Sequence, residues 1–125
     1  MATIFELQNP PFGQLTKTKV IKTENGAHTL TTAEIIEGIV DCTPTGNRAI
    51  TTPTAAEIIS ALGTQSGVGQ CFELTIVNKA ASTHKFTLTA GSGVTIVGEP
   101  DVTADTSGTF IFRVSSSTAV SAFRK

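Results

Sequence analysis

Thr52-Pro53-Thr54-Ala55-Ala56-Glu57-Ile58-Ile59-Ser60-Ala61-Leu62-Gly63, followed after a Gly/Ser loop by Gly69-Gln70-Cys71-Phe72-Glu73-Leu74-Thr75-Ile76-Val77-Asn78, reads as one short capped helix handing over to a long strand. Thr54 stands at the N-cap with Glu57 three residues on, the spacing of a capping box. Gly63 sits where a helix ends in a left-handed residue, and the apolar period changes from 3.6 to 2 at Gly69. Phe72, Leu74 and Ile76 then share one face of the strand, with Cys71, Glu73, Thr75 and Val77 on the other.

Upstream, Leu30-Thr31-Thr32-Ala33-Glu34-Ile35-Ile36-Glu37-Gly38 echoes the same helical signal. It predicts a single turn before a strand at Ile39-Val40-Asp41-Cys42. The loop Pro44-Thr45-Gly46-Asn47 then returns the chain to Ala49-Ile50-Thr51. The echo is too short and too closely spaced to establish a solenoid repeat. Lys17 to Thr23 reads as a strand that turns at Asn25-Gly26, a dipeptide suited to positive φ angles.

Downstream, Lys85 to Ala90 alternates again, Gly91-Ser92-Gly93 turns the chain into Val94-Thr95-Ile96-Val97, and Val102 to Ala104 reads as a short edge piece. Thr109 to Val114 and Ala119 to Phe123 read as the last strands. Short strands with Gly-rich turns and no alternating long helices point to a mainly β chain. The expected fold is an antiparallel β-sandwich or barrel, jelly-roll-like, with one or two short helices and an extended N-terminal arm. Residues 1–15 form the arm and 16–125 a single β domain.

Ile4, Phe5, Leu7 and Phe12 make the leader apolar, while Asn9-Pro10-Pro11 and Gly13 prevent a regular helix or a central strand. An apolar, irregular leader lies either on its own domain or on a neighbouring subunit. Ile4, Phe5, Leu7, Pro10, Pro11 and Phe12 are therefore the candidate residues for a subunit or shell contact.

The 125 residues suffice for one core without a metal or disulfide staple. Only 15% of them are charged, so the polar surface falls mainly to Thr, Ser, Asn, Gln and Gly. A net charge of −1 lacks the basic face that direct nucleic-acid binding uses. No run approaches the ~18 apolar residues of a membrane span. Met1-Ala2-Thr3-Ile4-Phe5-Glu6 lacks the basic and apolar regions of a secretory signal, so synthesis in a cytoplasm is expected.

Chemical signals are sparse, and neither an enzyme nor a cofactor is expected. Gly91-Ser92-Gly93 and Gly67-Val68-Gly69 lack the following helix and Lys of a phosphate cradle and read as hairpin turns. His28 and His84 are far apart, and the Cys/His spacing is not that of a zinc site. Cys42 and Cys71 read as small core-filling thiols, with a bridge between them as the alternative. The best nucleophilic constellation is Cys71 beside Glu73 with His84 on an adjacent strand. Glu99, Asp101 and Asp105 could line a calcium site but lack the known loop pattern, so a solvated acidic turn is the default. Trp and Tyr are absent, and of the seven Phe residues Phe72, Phe86, Phe110, Phe112 and Phe123 fall at strand positions as core candidates.

Leu30-Thr31-Thr32-Ala33-Glu34 with Gly38-Ile39-Val40, then Thr52-Pro53-Thr54-Ala55-Ala56-Glu57-Ile58-Ile59, Val68 to Asn78 and Ala90 to Gly98, resembles small β-rich virion structural proteins of tailed bacteriophages and aquatic viruses. The resemblance spans roughly residues 29 to 123 and leaves the leader uncovered. It implies a capsid decoration (cement) protein stabilising junctions of the virion shell, or a module of a fibre. It implies as partners the major capsid protein and other copies of this chain, a homotrimer favoured, with neither direct nucleic acid nor membrane contact. The implied location is the capsid surface of the virion. The alternative is a receptor- or glycan-binding module, with Pro44 to Asn47 and Glu99 to Asp105 as its loops.

Overall fold

The computed structural model describes residues 21–23, 25–36 and 38–125, with side chains from residue 25 onward. The leader contacts expected at Ile4, Phe5, Leu7, Pro10, Pro11 and Phe12 lie outside the described residues, as do positions 17–20 of the first expected strand.

The described chain is mainly β, with two short helices. Its elements run β1 (Ile21–Thr23), β2 (His28–Thr29), α1 (Thr32–Ile35), β3 (Ile39–Cys42), β4 (Arg48–Thr51), α2 (Ala55–Leu62), a 3₁₀ turn (Gly63–Gln65), β5 (Cys71–Asn78), β6 (Phe86–Thr89), β7 (Val94–Val97), β8 (Asp101–Val102), β9 (Thr106–Ser116) and β10 (Ala119–Arg124). A six-stranded sheet has the order β1-β3-β5-β9-β10-β7, and a four-stranded sheet the order β2-β4-β6-β8.

Each connection before β9 carries the chain from one sheet to the other. Up to β6, neighbours within a sheet are therefore strands laid down a full pass apart, and these run the same way. Ile39 pairs with Ile21 and Thr75, and Ile50 with His28 and Leu88, all in parallel. Among the described residues five of the eight strand pairings are parallel, which corrects the expected antiparallel arrangement. The physical reason lies in the turns. Asn25-Gly26 and Pro44 to Asn47 have hairpin chemistry but bend the chain across to the opposite sheet, so the strands they join do not pair with each other. Sequential antiparallel pairing within one sheet appears at β9 and β10, the last two strands.

The Thr-led echo now has a structural meaning. α1 and α2 occupy equivalent places, each following a strand of the four-stranded sheet and returning the chain to the six-stranded one. Both carry complete capping boxes: Glu34 N–H donates to Thr31 Oγ1 at 3.3 Å and Thr31 N–H to Glu34 Oε1 at 2.9 Å. The corresponding Thr54 and Glu57 bonds are 3.2 and 2.9 Å. Gly63 ends α2 at the C-cap with a positive φ of 58°, but its ψ of −123° lies outside the left-handed helical region expected there.

One core joins the two sheets. Val40, Leu74, Ile76, Phe110, Phe112 and Ala122 of the larger sheet meet Ile50, Phe86, Leu88 and Val102 of the smaller, closed by Ile35 and Ile58 from the helices. Phe72 and Phe112, partners across β5 and β9, stack with ring centroids 5.1 Å apart. Two core expectations are corrected. Phe123 lies outward on β10 and Cys71 outward on β5, because each strand turns its alternate residues (Ala122, Phe72) into the core. Cys42 is buried and gives its Sγ–H to Val77 O at 3.2 Å, and it forms no disulfide bridge with Cys71.

Candidate functional site

Three surface features carry the chemistry of the described residues. The first is the outer face of the six-stranded sheet, which follows from period-2 alternation. Cross-strand register aligns Val97, Phe123, Ile111 and Glu73 in one row, and Ser121, Arg113 and Cys71 in the next. Thr75 and Thr109, also partners, share a hydroxyl–hydroxyl hydrogen bond of 3.0 Å. Among the described side chains, charge on this face is confined to Arg113 and to two ion pairs, Lys79–Asp41 at 3.0 Å and Lys125–Glu73 at 3.5 Å. The face is hydroxyl-bearing around Thr75 and Thr109 and apolar toward the β7 edge, with Val97 42% and Phe123 39% exposed. Such a surface loses little side-chain entropy on contact.

The second is an open groove of about 700 Å³ between the helical turns. Thr29 to Thr32 form one wall, while Pro53, Ala56, Glu57, Ser60 and Ala61 form the other. Both helices are legible in the sequence but the groove is not, because it forms only where equivalent corners of successive passes lie side by side. The echo was its available signal.

The third is a polar cluster at one end of the smaller sheet. It brings together both loops nominated for ligand binding. Asn47 Oδ1 accepts from Lys85 N–H at 3.1 Å, and Lys85 Nζ reaches Asp101 Oδ2 at 2.6 Å. Thr87 Oγ1 donates to Asp101 Oδ1 at 2.6 Å, so both carboxylate oxygens are engaged. Arg124 lies over the Phe110 ring at 5.3 Å and donates to Glu99 O and Asp101 O at 2.9 and 2.8 Å. Gly108 permits this, since a Cβ there would come within 2.8 Å of the guanidinium carbon.

The hydrogen bond from Lys85, then that from Thr87, holds the Asp101 carboxyl below its ordinary range against the opposing effect of burial. The same bond to Asp101 and the attraction of its charge raise Lys85. Glu99 and Asp105 do not join Asp101 around a common point: Glu99 Oε1 accepts from Asp101 N–H at 3.0 Å, and Asp105 is an exposed turn residue with a φ of 57°. Among the described residues, no group of three or more His, Cys, Asp or Glu is placed to hold a metal ion.

The nucleophilic constellation is not brought together. Cys71 begins β5 opposite Arg113, whereas His84 lies beyond the other end of that strand, where its carbonyl accepts from Asn78 Nδ2 at 2.9 Å. Along an extended strand these ends are roughly 20 Å apart. His28 Nε2 lies 3.2 Å from Glu34 Oε1, in a different part of the fold from His84. Among the described residues no helix is long and apolar enough to cross a membrane.

Comparison with known protein families, curated proteins and solved structures finds no match to this chain.

Proposed function

We propose that this chain is a virion structural protein, a capsid decoration (cement) protein that stabilises junctions of the shell from the capsid surface. In this reading the two sheets form a sandwich, residues 1–15 are an extended arm, and the protein acts as a homotrimer against the major capsid protein, without enzymatic chemistry. The observation that carries the reading is the broad outer face of the six-stranded sheet. Val97, Phe123 and Ile111 lie on it beside Thr75, Thr109 and Ser121, with its acidic groups already ion-paired. A face of this kind suits repeated low-affinity contact, since many copies on one shell add by avidity. The sequence resemblance to small phage virion proteins points the same way.

The test is the mass of the native protein by light scattering, with and without residues 1–14, together with binding of both forms to shells lacking decoration. A closed trimer that binds shells, with either property lost on truncation, is the expected result. A chain that neither self-associates nor binds shells removes the reading.

A receptor- or glycan-binding module is the second reading, favoured by the convergence of Asn47, Lys85 and Asp101 in one cluster. It predicts saturable binding to a host-surface sugar, and silence across a broad glycan panel would count heavily against it.

A further inference from the structure

We propose that β7 is an interaction edge that pairs antiparallel with β7 of a second copy, across a two-fold axis at Ile96, joining two six-stranded sheets into one. This inference is independent of the virion reading.

The backbone carries the argument. β7 ends the six-stranded sheet and is hydrogen-bonded to a neighbouring strand, β10, on one side. Val120 N–H donates to Gly93 O at 3.1 Å. In a parallel ladder alternate residues address the same neighbour, so Gly93, Thr95 and Val97 point their backbone groups to β10, and Val94 and Ile96 point theirs away. Val94 N–H is already used, donating to Gly91 O at 3.0 Å. The N–H and C=O of Ile96 have no partner among the described residues.

The edge is short, four residues, but Val94-Thr95-Ile96-Val97 contains no charge, Pro or bulge, which are other devices that keep natural edges apart. Beside it, Val97 and its register partner Phe123 are the outward apolar pair, with Ile111 next in the row.

Register follows from two constraints. Residues opposed across an antiparallel pair share a face, so Ile96, which packs partly against the core, must oppose a core-facing residue. Centring the pair on Ile96 lets both copies exchange N–H···O bonds there, with Thr95 opposite Val97 of the second copy. Sliding by two residues would instead oppose Ile96 either to Val94, whose N–H is engaged, or to Gly98, which lies beyond the strand with a positive φ of 93°. The occupant is a second copy because the strand is uncharged and self-complementary: Thr meets Val, and no like charges face each other. Two such edges cover less than the roughly 1,200 Å² of a standard interface, so the association is weak and emerges at high concentration.

The full chain is measured by sedimentation from low-micromolar to millimolar concentration, with amide exchange at Ile96. Mass is expected to increase toward a doubling of the low-concentration species, and exchange at Ile96 to slow with it. Thr95→Lys combined with Val97→Lys opposes like charges across the axis and should weaken association by about tenfold or more. Thr95→Glu combined with Val97→Lys changes the same positions but opposes unlike charges, and should associate at least as well as the parent chain. Thermal melts confirm that both variants fold. A chain that does not associate further at millimolar concentration, self-association indifferent to both double variants, or equal loss in both overturns the proposal and leaves the cement reading standing.

Discussion

Asn78 Nδ2 donates to Val102 O at 2.9 Å, a bond from the end of β5 in one sheet to β8 in the other. The same amide nitrogen gives its second hydrogen to His84 O, and Asn78 Oδ1 accepts from Ala80 N–H at 3.0 Å. At 1% exposure, this side chain is a buried polar link whose polar atoms are all engaged. Asn78→Ala strands two carbonyls and one N–H, each costing about 1–3 kcal/mol when buried without a partner. A loss of at least about 2 kcal/mol is expected, read as a lower urea midpoint at unchanged slope. A shift under about 0.5 kcal/mol would remove Asn78 as a link between the sheets.

Acid sensitivity is expected at Asp101. Its folded pKa is lowered, chiefly by the hydrogen bond from Lys85 and then by that from Thr87. A lowered carboxylate contributes stability above its unfolded pKa of about 3.9, and that contribution fades as pH falls through the lower folded value. The urea midpoint of the parent chain should therefore drop below pH about 4. Asp101→Asn should flatten that drop while lowering stability at neutral pH. An unchanged acid limb in the variant would assign the sensitivity to other carboxylates.

Helix α2 depends on its N-cap. Thr54→Ala leaves Glu57 N–H without its side-chain acceptor and should cost about 1 kcal/mol, while Thr54→Ser should be close to neutral. Urea denaturation of the two variants side by side decides it. Equal costs would attribute the effect to the lost methyl rather than to the cap.

Local structure was legible in the sequence wherever side chains act on their own neighbours. The Thr31/Glu34 and Thr54/Glu57 boxes, the alternation of Phe72, Leu74 and Ile76, and the turn from Gly91 into Val94 all act within a few residues. Sheet membership was not legible. Asn25-Gly26 bends the chain equally well into a hairpin or across to a second sheet, and the choice rests on contacts such as Ile21 with Ile39 that lie a full pass away. The groove and the polar cluster were hidden for the same reason. Lys85 meets Asn47 and Asp101 because parallel stacking of β4 and β6, and antiparallel pairing of β6 with β8, place them side by side.

The two thiols should separate cleanly in reactivity. Alternation that sends Phe72, Leu74 and Ile76 inward leaves Cys71 outward, whereas Cys42 at the end of β3 points into the core and donates to Val77 O. A thiol reagent should modify one cysteine per native chain quickly, and the second only when denaturant opens the core. Cys71→Ser should abolish the fast phase while changing stability by less than about 0.5 kcal/mol, the range of an exposed site. Cys42→Ser should retain the fast phase and cost about 1 kcal/mol or more, since it replaces a buried sulfur with a more polar hydroxyl. Two native thiols reacting at the same rate would place Cys42 outside the core and undo the inward phase assigned to β3.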